Sequence, residues 1–191
     1  DWGVTLHLNT GIAAIEGEGG KATGVLLSDG RRLPAQLVVY GIGVLPNAEM
    51  AAAAGLACPN GIEVDAMLAT SDPAISAIGD VACFLCHAAG RLLRLESVQN
   101  AADQGRALAA RLLGKGTPYQ AVPWFWSDQG DLKLQMVGLS DGHDRAVRLG
   151  DPATRSFTNL LYRGDDLIAV ECVNRAGDFT ATVVALDEAG Y

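Results

Sequence analysis

Apolar and polar positions along the chain change period several times, and each change predicts an element. Val4, Leu6 and Leu8 alternate with polar neighbours, as do the residues from Ile12 to Glu16, which predicts short half-buried strands. Gly24 to Leu27 leads through Ser28-Asp29-Gly30 into Leu33 to Tyr40, and Asp-Gly between apolar runs predicts a hairpin. Leu37 to Gly41 is almost continuously apolar and predicts a strand buried on both faces. Asn47 is the expected cap of a helix through Ala54 that closes at Gly55. Asn60-Gly61 is a turn before the strand Ile62 to Val64, and Ala74 to Ile78 reads as a short buried strand ending in Gly79 and Asp80. Ser97 caps a longer helix reaching Leu113, with Leu95, Val98, Ala101 and Ala102 expected inward and Leu108 and Leu112 continuing the stripe. A linker from Gly114 to Tyr119 follows. Beyond Val122 the period becomes that of strands: Trp124 to Trp126, Leu132 to Val137, Ala146 to Leu149, Phe157 to Tyr162 and Leu167 to Val173, separated by Gly-rich turns. Phe179 to Asp187 fits strand or helix.

Composition narrows the function classes. With 191 residues, 49% hydrophobic and 19% charged, the chain can bury a real core. A net charge of -8 argues against nucleic acid or an anionic membrane as main partner. Between Arg91 and Lys115 five cations face two carboxylates, which suits a solvated helix face or, alternatively, the docking of an acidic redox partner. No apolar run is long enough to span a bilayer, and no signal peptide is visible. The start at Asp1 suits a fragment of a longer protein. Four cysteines without an evenly spaced framework suit a reducing, cytoplasmic compartment.

Two motifs carry the chemistry. TSDPAISAIGD (Thr70 to Asp80) sets a carboxylate at a strand end, and RLESVQNAADQG (Arg94 to Gly105) opens a helix whose first N–H groups and positive dipole end lie near Val98. In open α/β sheets a cofactor binds in that kind of crevice. Together with VPWFWSDQ (Val122 to Gln129), these motifs closely resemble the FAD-dependent ferredoxin reductases, the pyridine-nucleotide enzymes that serve Rieske oxygenases and cytochromes P450. The resemblance runs from Gly3-Val4 to about Phe179. It departs in one respect: the family's glycine-rich G-x-G-x-x-G fingerprints for FAD and NAD(P)H are absent, so the chain alone is expected to be catalytically incomplete.

The resemblance implies a fold class of α/β plus α+β. Residues 1–41 would end an NAD(P)H-binding domain, 42–118 would be the second half of an FAD-binding domain, and 119–191 a small β-rich reductase C-terminal domain. It implies FAD contacts from Gly79, Asp80, Ser97, Val98, Gln99 and Trp126, with Asp80 gripping the ribitol. Gly41, Ile42, Gly43 and Glu96 would lie on the nicotinamide side. The glycines equally fit a plain strand-to-helix turn, and Glu96 a first-turn acid favoured by the helix dipole. Trp126 would stand between flavin and the iron–sulfur partner, and Trp124 would pack. The implied partners are a 2Fe–2S ferredoxin or rubredoxin, and a second copy through the C-terminal domain. Weighed beside this are a related NADH oxidase or nitrite-reductase-like subunit, which PWFWSDQ speaks against, and an FAD-binding interaction module resembling apoptosis-inducing factor. Cys83-Phe84-Leu85-Cys86-His87 spells a haem-attachment pattern, but no distal ligand is identifiable. A dithiol relay or zinc site is no better supported, so these are expected to be partly buried loop residues and no metal is expected.

Overall fold

The computed structural model describes residues 3–87 and 89–188. It divides into two compact units, Asp1–Leu45 and Pro46–Tyr191. In the first, β1 (Ile12–Glu18), β2 (Lys21–Leu27) and β3 (Arg32–Pro34) form an antiparallel sheet in that order. The Asp-Gly hairpin forms where the pattern puts it: Leu27 N donates to Arg31 O at 2.8 Å and Gly30 takes φ +87°. Asp29 accepts from both Arg31 N and Arg31 Nε, and the guanidinium holds its carboxyl below the usual range.

Two expectations in this unit are overturned. Val4, Leu6 and Leu8 are exposed and form no strand. Leu37 to Gly41 is not a strand either, and Leu37 and Val39 stand 79% and 86% exposed. The physical reason is shared. A strand needs a ladder partner, and among the described residues neither segment has one.

The second unit begins with a short helix, α1 (Glu49–Ala53), whose N-cap is Ala48 without a side-chain bond, so Asn47 stands one residue outside it. Gly55 follows the C-cap Ala54 at φ +83°, as the pattern requires. A three-stranded sheet comes next: β4 (Ile62–Val64) runs parallel to β5 (Ala82–Cys86), and β5 antiparallel to β6 (Arg91–Leu93).

Ala74 to Ile78 is not a strand. Thr70 closes a loop by donating its N–H to Ile75 O at 3.0 Å and its hydroxyl to Asp72 O at 2.9 Å. Gly79–Val81 is one 3-10 turn, and the strand begins after it at Ala82. Asp80 therefore precedes a strand instead of ending one. The Cys83-Phe84-Leu85-Cys86 segment, expected as loop, is that strand; both thiols are buried, and Phe84 and Cys86 pack in the core with Val64, Leu68 and Leu93.

The long helix α2 (Val98–Leu112) starts at Ser97, whose Oγ accepts from Asn100 N at 3.1 Å. Its inward face is the expected apolar one only in part: Leu95 and Leu108 pack on the core and Ala101 meets Gly79. Val98 and Leu112 are 68% and 74% exposed and Ala102 is exposed, while Gln99, Asn100 and Gln104 are buried. Beyond it, β7 (Trp124–Gln129), β8 (Leu132–Gly138), β9 (Arg145–Asp151), β10 (Ser156–Arg163) and β11 (Asp166–Val173) form an antiparallel sheet of order β7-β8-β11-β10-β9. The open choice for the C-terminal segment resolves to a helix, α3 (Ala176–Glu188), with Leu186 and Phe179 on Val137, Val170 and Cys172 of one sheet face. The fold class is α/β followed by α+β.

Candidate functional site

Gly79 and Asp80 sit directly against α2. The positive φ of Gly79 (+72°) turns its N–H onto Gln104 Oε1 at 2.7 Å, and a Cβ placed there would stand 3.5 Å from Ala101 Cβ. Asp80 O accepts from Arg94 Nη1 at 2.9 Å, and the same guanidinium, 8% exposed, pairs with Glu96 at 2.5 Å. Arg94 thus ties the acid-bearing turn to the residue just before the Ser97 cap. The Asp80 carboxylate faces solvent with no partner among the described residues. At the start of α2 the first-turn N–H groups lack intrahelical acceptors, and the exposed Val98 marks that end.

The helix is held by its amides. Asn100 Nδ2 donates to Leu95 O at 3.0 Å, and its Oδ1 accepts from Tyr119 Oη at 3.1 Å. Gln99 bridges Asp103 Oδ2 (2.6 Å) and the N–H of Trp124 (3.3 Å). Gln104 Nε2 is a buried donor with no partner among the described residues. Burial raises the Tyr119 hydroxyl pKa strongly, with smaller contributions from Asp103 and Cys86.

A cavity of about 270 Å³ opens between Glu96 and Ser97 on one wall and Phe125, Met136 and Glu171 on the other. Phe125, Met136 and Glu171 are register partners on adjacent strands and share one sheet face. Trp124 and Trp126 alternate with Phe125 on β7. Their rings lie 5.6 Å apart, Trp124 packs edge-on to Phe179 at 5.9 Å, and Trp126 remains 42% exposed.

The structure therefore brings together Gly79 and Asp80 with the α2 face, and Glu96 and Ser97 at one cavity. Asp80, Val98, Gln99 and Trp126 do not line that cavity. Gln99 is engaged with protein groups. Gly41, Ile42 and Gly43 belong to the first unit, where a Cβ at either glycine would meet nothing within 4 Å. Sequence reasoning missed Arg94, Asn100, Gln104 and Glu171. The spacing of Gln99 with Asp103 and Asn100 with Gln104, four residues apart, was the available signal.

Comparison with known proteins decides the family. Residues 1–105 match pyridine nucleotide-disulphide oxidoreductase, and residues 124–190 match reductase C-terminal. The chain belongs to the pyridine nucleotide-disulphide oxidoreductase family. It is 47% identical to the 5,5'-dehydrodivanillate O-demethylase ferredoxin reductase subunit of a Sphingobium species, covering 93% of this chain and 43% of that protein. Against putidaredoxin reductase of Pseudomonas putida the values are 46%, 93% and 42%. The crystal structure of the ferredoxin reductase for the CYP199A2 system from Rhodopseudomonas palustris superposes with a TM-score of 0.89 at 55% identity, over 92% of this chain and 44% of that one. The chain spans less than half the length of these relatives.

Within this pyridine nucleotide-disulphide oxidoreductase chain, Cys83 and Cys86 are core groups. Burial pushes the Cys83 thiol pKa up, which disfavours the reactive thiolate. Among the described residues no group of three or more His, Cys, Asp or Glu could hold a metal. The basic stretch is largely paired within the protein: Arg91 with Asp141, Arg94 with Glu96, and Arg106 with Asp103, while Arg111 donates to Met67 O and Ser76 Oγ. Among the described residues no helix is long and apolar enough to cross a membrane.

Proposed function

We propose that this chain is the C-terminal part of an FAD-dependent NAD(P)H:ferredoxin (or rubredoxin) reductase that passes electrons to an oxygenase or cytochrome P450 system. The observation that carries the reading is the Gly79-Asp80 turn packed on α2, which leaves the Asp80 carboxylate exposed and without a partner among the described residues. The donor set fits FAD. Asp80 offers an acceptor to hydroxyl groups, the first turn of α2 offers N–H groups and a positive dipole end, and Gln104 Nε2 is a buried donor in need of a partner. FAD, when bound, supplies the conversion of a two-electron hydride donor into single-electron transfer.

The residues of this chain bind and orient. Asp80 holds ribitol hydroxyls, and Ser97 and Val98 present the helix start to the electron-rich edge of the ring system. Arg94 fixes the direction of the Glu96 carboxylate, which then orients the nicotinamide. Trp126 lies on the electron exit, and Trp124 packs it against α3. Gly41, Ile42 and Gly43 serve the nicotinamide side. In the full-length protein, 1–41 completes the NAD(P)H-binding domain, 42–118 the FAD-binding domain, and 119–191 the reductase C-terminal domain. That last domain also offers the contact with the iron–sulfur partner or a second copy, and the protein works in the cytoplasm.

The similar ferredoxin reductases support this reading, as does the crystal structure of the covalent putidaredoxin reductase-putidaredoxin complex, to which this chain is 45% identical with a TM-score of 0.87. The test is made on full-length protein. Asp80→Ala should weaken FAD retention by about 1.5–3 kcal/mol, the value of a charge-assisted hydrogen bond. Unchanged flavin content after gel filtration contradicts the Asp80 assignment. Cytochrome c reduction that needs no added ferredoxin contradicts the reductase itself.

A further inference from the structure

Strand β7 is an edge strand, and its outward N–H groups have no neighbouring strand to receive them. Gly138 N donates to Pro123 O at 2.8 Å, so Pro123 and Gly138 face each other as a hydrogen-bonded pair. Trp124 and Val137 form the next rung, where the N–H points away from β8. Gln99 Oε1 accepts that N–H at 3.3 Å, with the Gln99 side chain itself nearly buried at 6% exposure.

An amide can present either its oxygen or its nitrogen, and here a second group removes the choice. Gln99 Nε2 donates to Asp103 Oδ2 at 2.6 Å, one helical turn on, and an ionised carboxylate only accepts. A flipped amide would set oxygen against oxygen at Asp103 and nitrogen against N–H at Trp124. Asp103 is itself steadied by Arg106, which pairs with its other oxygen at 2.5 Å. Trp124 thus donates to Gln99 and Gln99 to Asp103, while Arg106 donates to the other Asp103 oxygen from the surface of α2, so Asp103 is the common acceptor that orients the set.

We propose that Gln99, its amide oriented by Asp103, is a positioning residue that fixes the Trp124–Trp126 pair against the first turn of α2. Trp124 is clamped from both sides, by Gln99 at its backbone and by Phe179 at its ring, and the Trp126 ring packs beside it at a tilt of 35°. The functional half of the proposal rests on the reading that Trp126 lies on the electron exit of a ferredoxin reductase. Gln99 acts there through the tryptophans and not by touching the cofactor.

The test uses the full-length protein with Gln99→Leu, Asp103→Leu and Trp126→Leu. Losing one hydrogen bond should reduce amide-exchange protection at Trp124 about five- to tenfold in Gln99→Leu. Asp103→Leu should show a smaller loss of the same kind. In both, flavin content and the KM for the pyridine nucleotide stay unchanged while kcat for ferredoxin reduction falls, a split that a general loss of stability does not produce. Trp124 protection unchanged in Gln99→Leu overturns the proposal, as does protection lost with ferredoxin reduction intact while Trp126→Leu slows it. If Trp126→Leu leaves ferredoxin reduction unaffected, the electron-exit reading fails, and the exchange data alone decide whether Gln99 holds Trp124.

Discussion

Single residues carry more of the architecture than their polarity suggests. Asn100 and Gln104 are fully buried, and each buried amide costs stability unless its donors and acceptors are met. Asn100 meets its own by gripping Leu95 and Tyr119, which makes it a joint between the helix and the linker. A hydrophobicity pattern ranks such residues as exterior and so placed Val98 and Ala102 inward beside Leu95 and Leu108, of which the last two do pack on the core. Glycine was more legible. Gly61 stands at φ +95°, and a Cβ there would lie 2.4 Å from Val81 O, where backbone and not a movable side chain blocks it. Gly61→Ala should destabilise the second unit by about 2–4 kcal/mol through strain and overpacking together. A urea titration checks this, and a midpoint equal to wild type would mean that the β4–β5 approach is looser than the structure has it.

Elements were legible where the signal was local. The Asp-Gly hairpin, the Ser97 cap and the five strands after Val122 depend on neighbours in sequence, and they form as the pattern indicates. Leu37 to Gly41 and Ala74 to Ile78 failed for the opposite reason: apolar content does not supply a ladder, and among the described residues the second segment makes just one isolated bridge, Ser76 with Ala69. The C-terminal segment stayed open because its attachment is tertiary. Thr158 Oγ1 donates to Asp178 Oδ2 at 2.7 Å, and Arg175 pairs with the same oxygen at 2.9 Å, so the first turn of α3 is pinned to β10. Thr158→Val keeps the shape but removes the buried donor and should cost about 1–3 kcal/mol. Exchange of the α3 amides should accelerate with it. Stability lost without faster exchange in α3 would place the cost elsewhere in the sheet.

Across the whole molecule, burial of acidic groups in their neutral form sets the response to alkali. Burial raises the pKa of Tyr119, Cys83 and Cys172 above the ordinary values. A group with a raised folded-state pKa contributes stability below its unfolded value and loses it as pH climbs toward the folded one. Stability should therefore fall from about pH 8.5 through the thiols and further above about pH 10 through Tyr119. Tyr119→Phe should flatten the upper part of that fall, at some cost near neutrality because Asn100 Oδ1 loses its donor. Urea midpoints from about pH 7 to about pH 11 read both effects, and a parallel decline in wild type and variant would contradict the role of Tyr119. The sequence by itself determined the turns, the caps, the strand-rich C-terminal half and the motifs of the family, because each is written in contiguous residues. Only the tertiary structure decided that Asp80 precedes a strand, that α2 packs by its amides, and that Gln99 reaches the edge of β7. Those outcomes depend on which donor finds which acceptor across tens of residues, and periodicity does not encode that pairing.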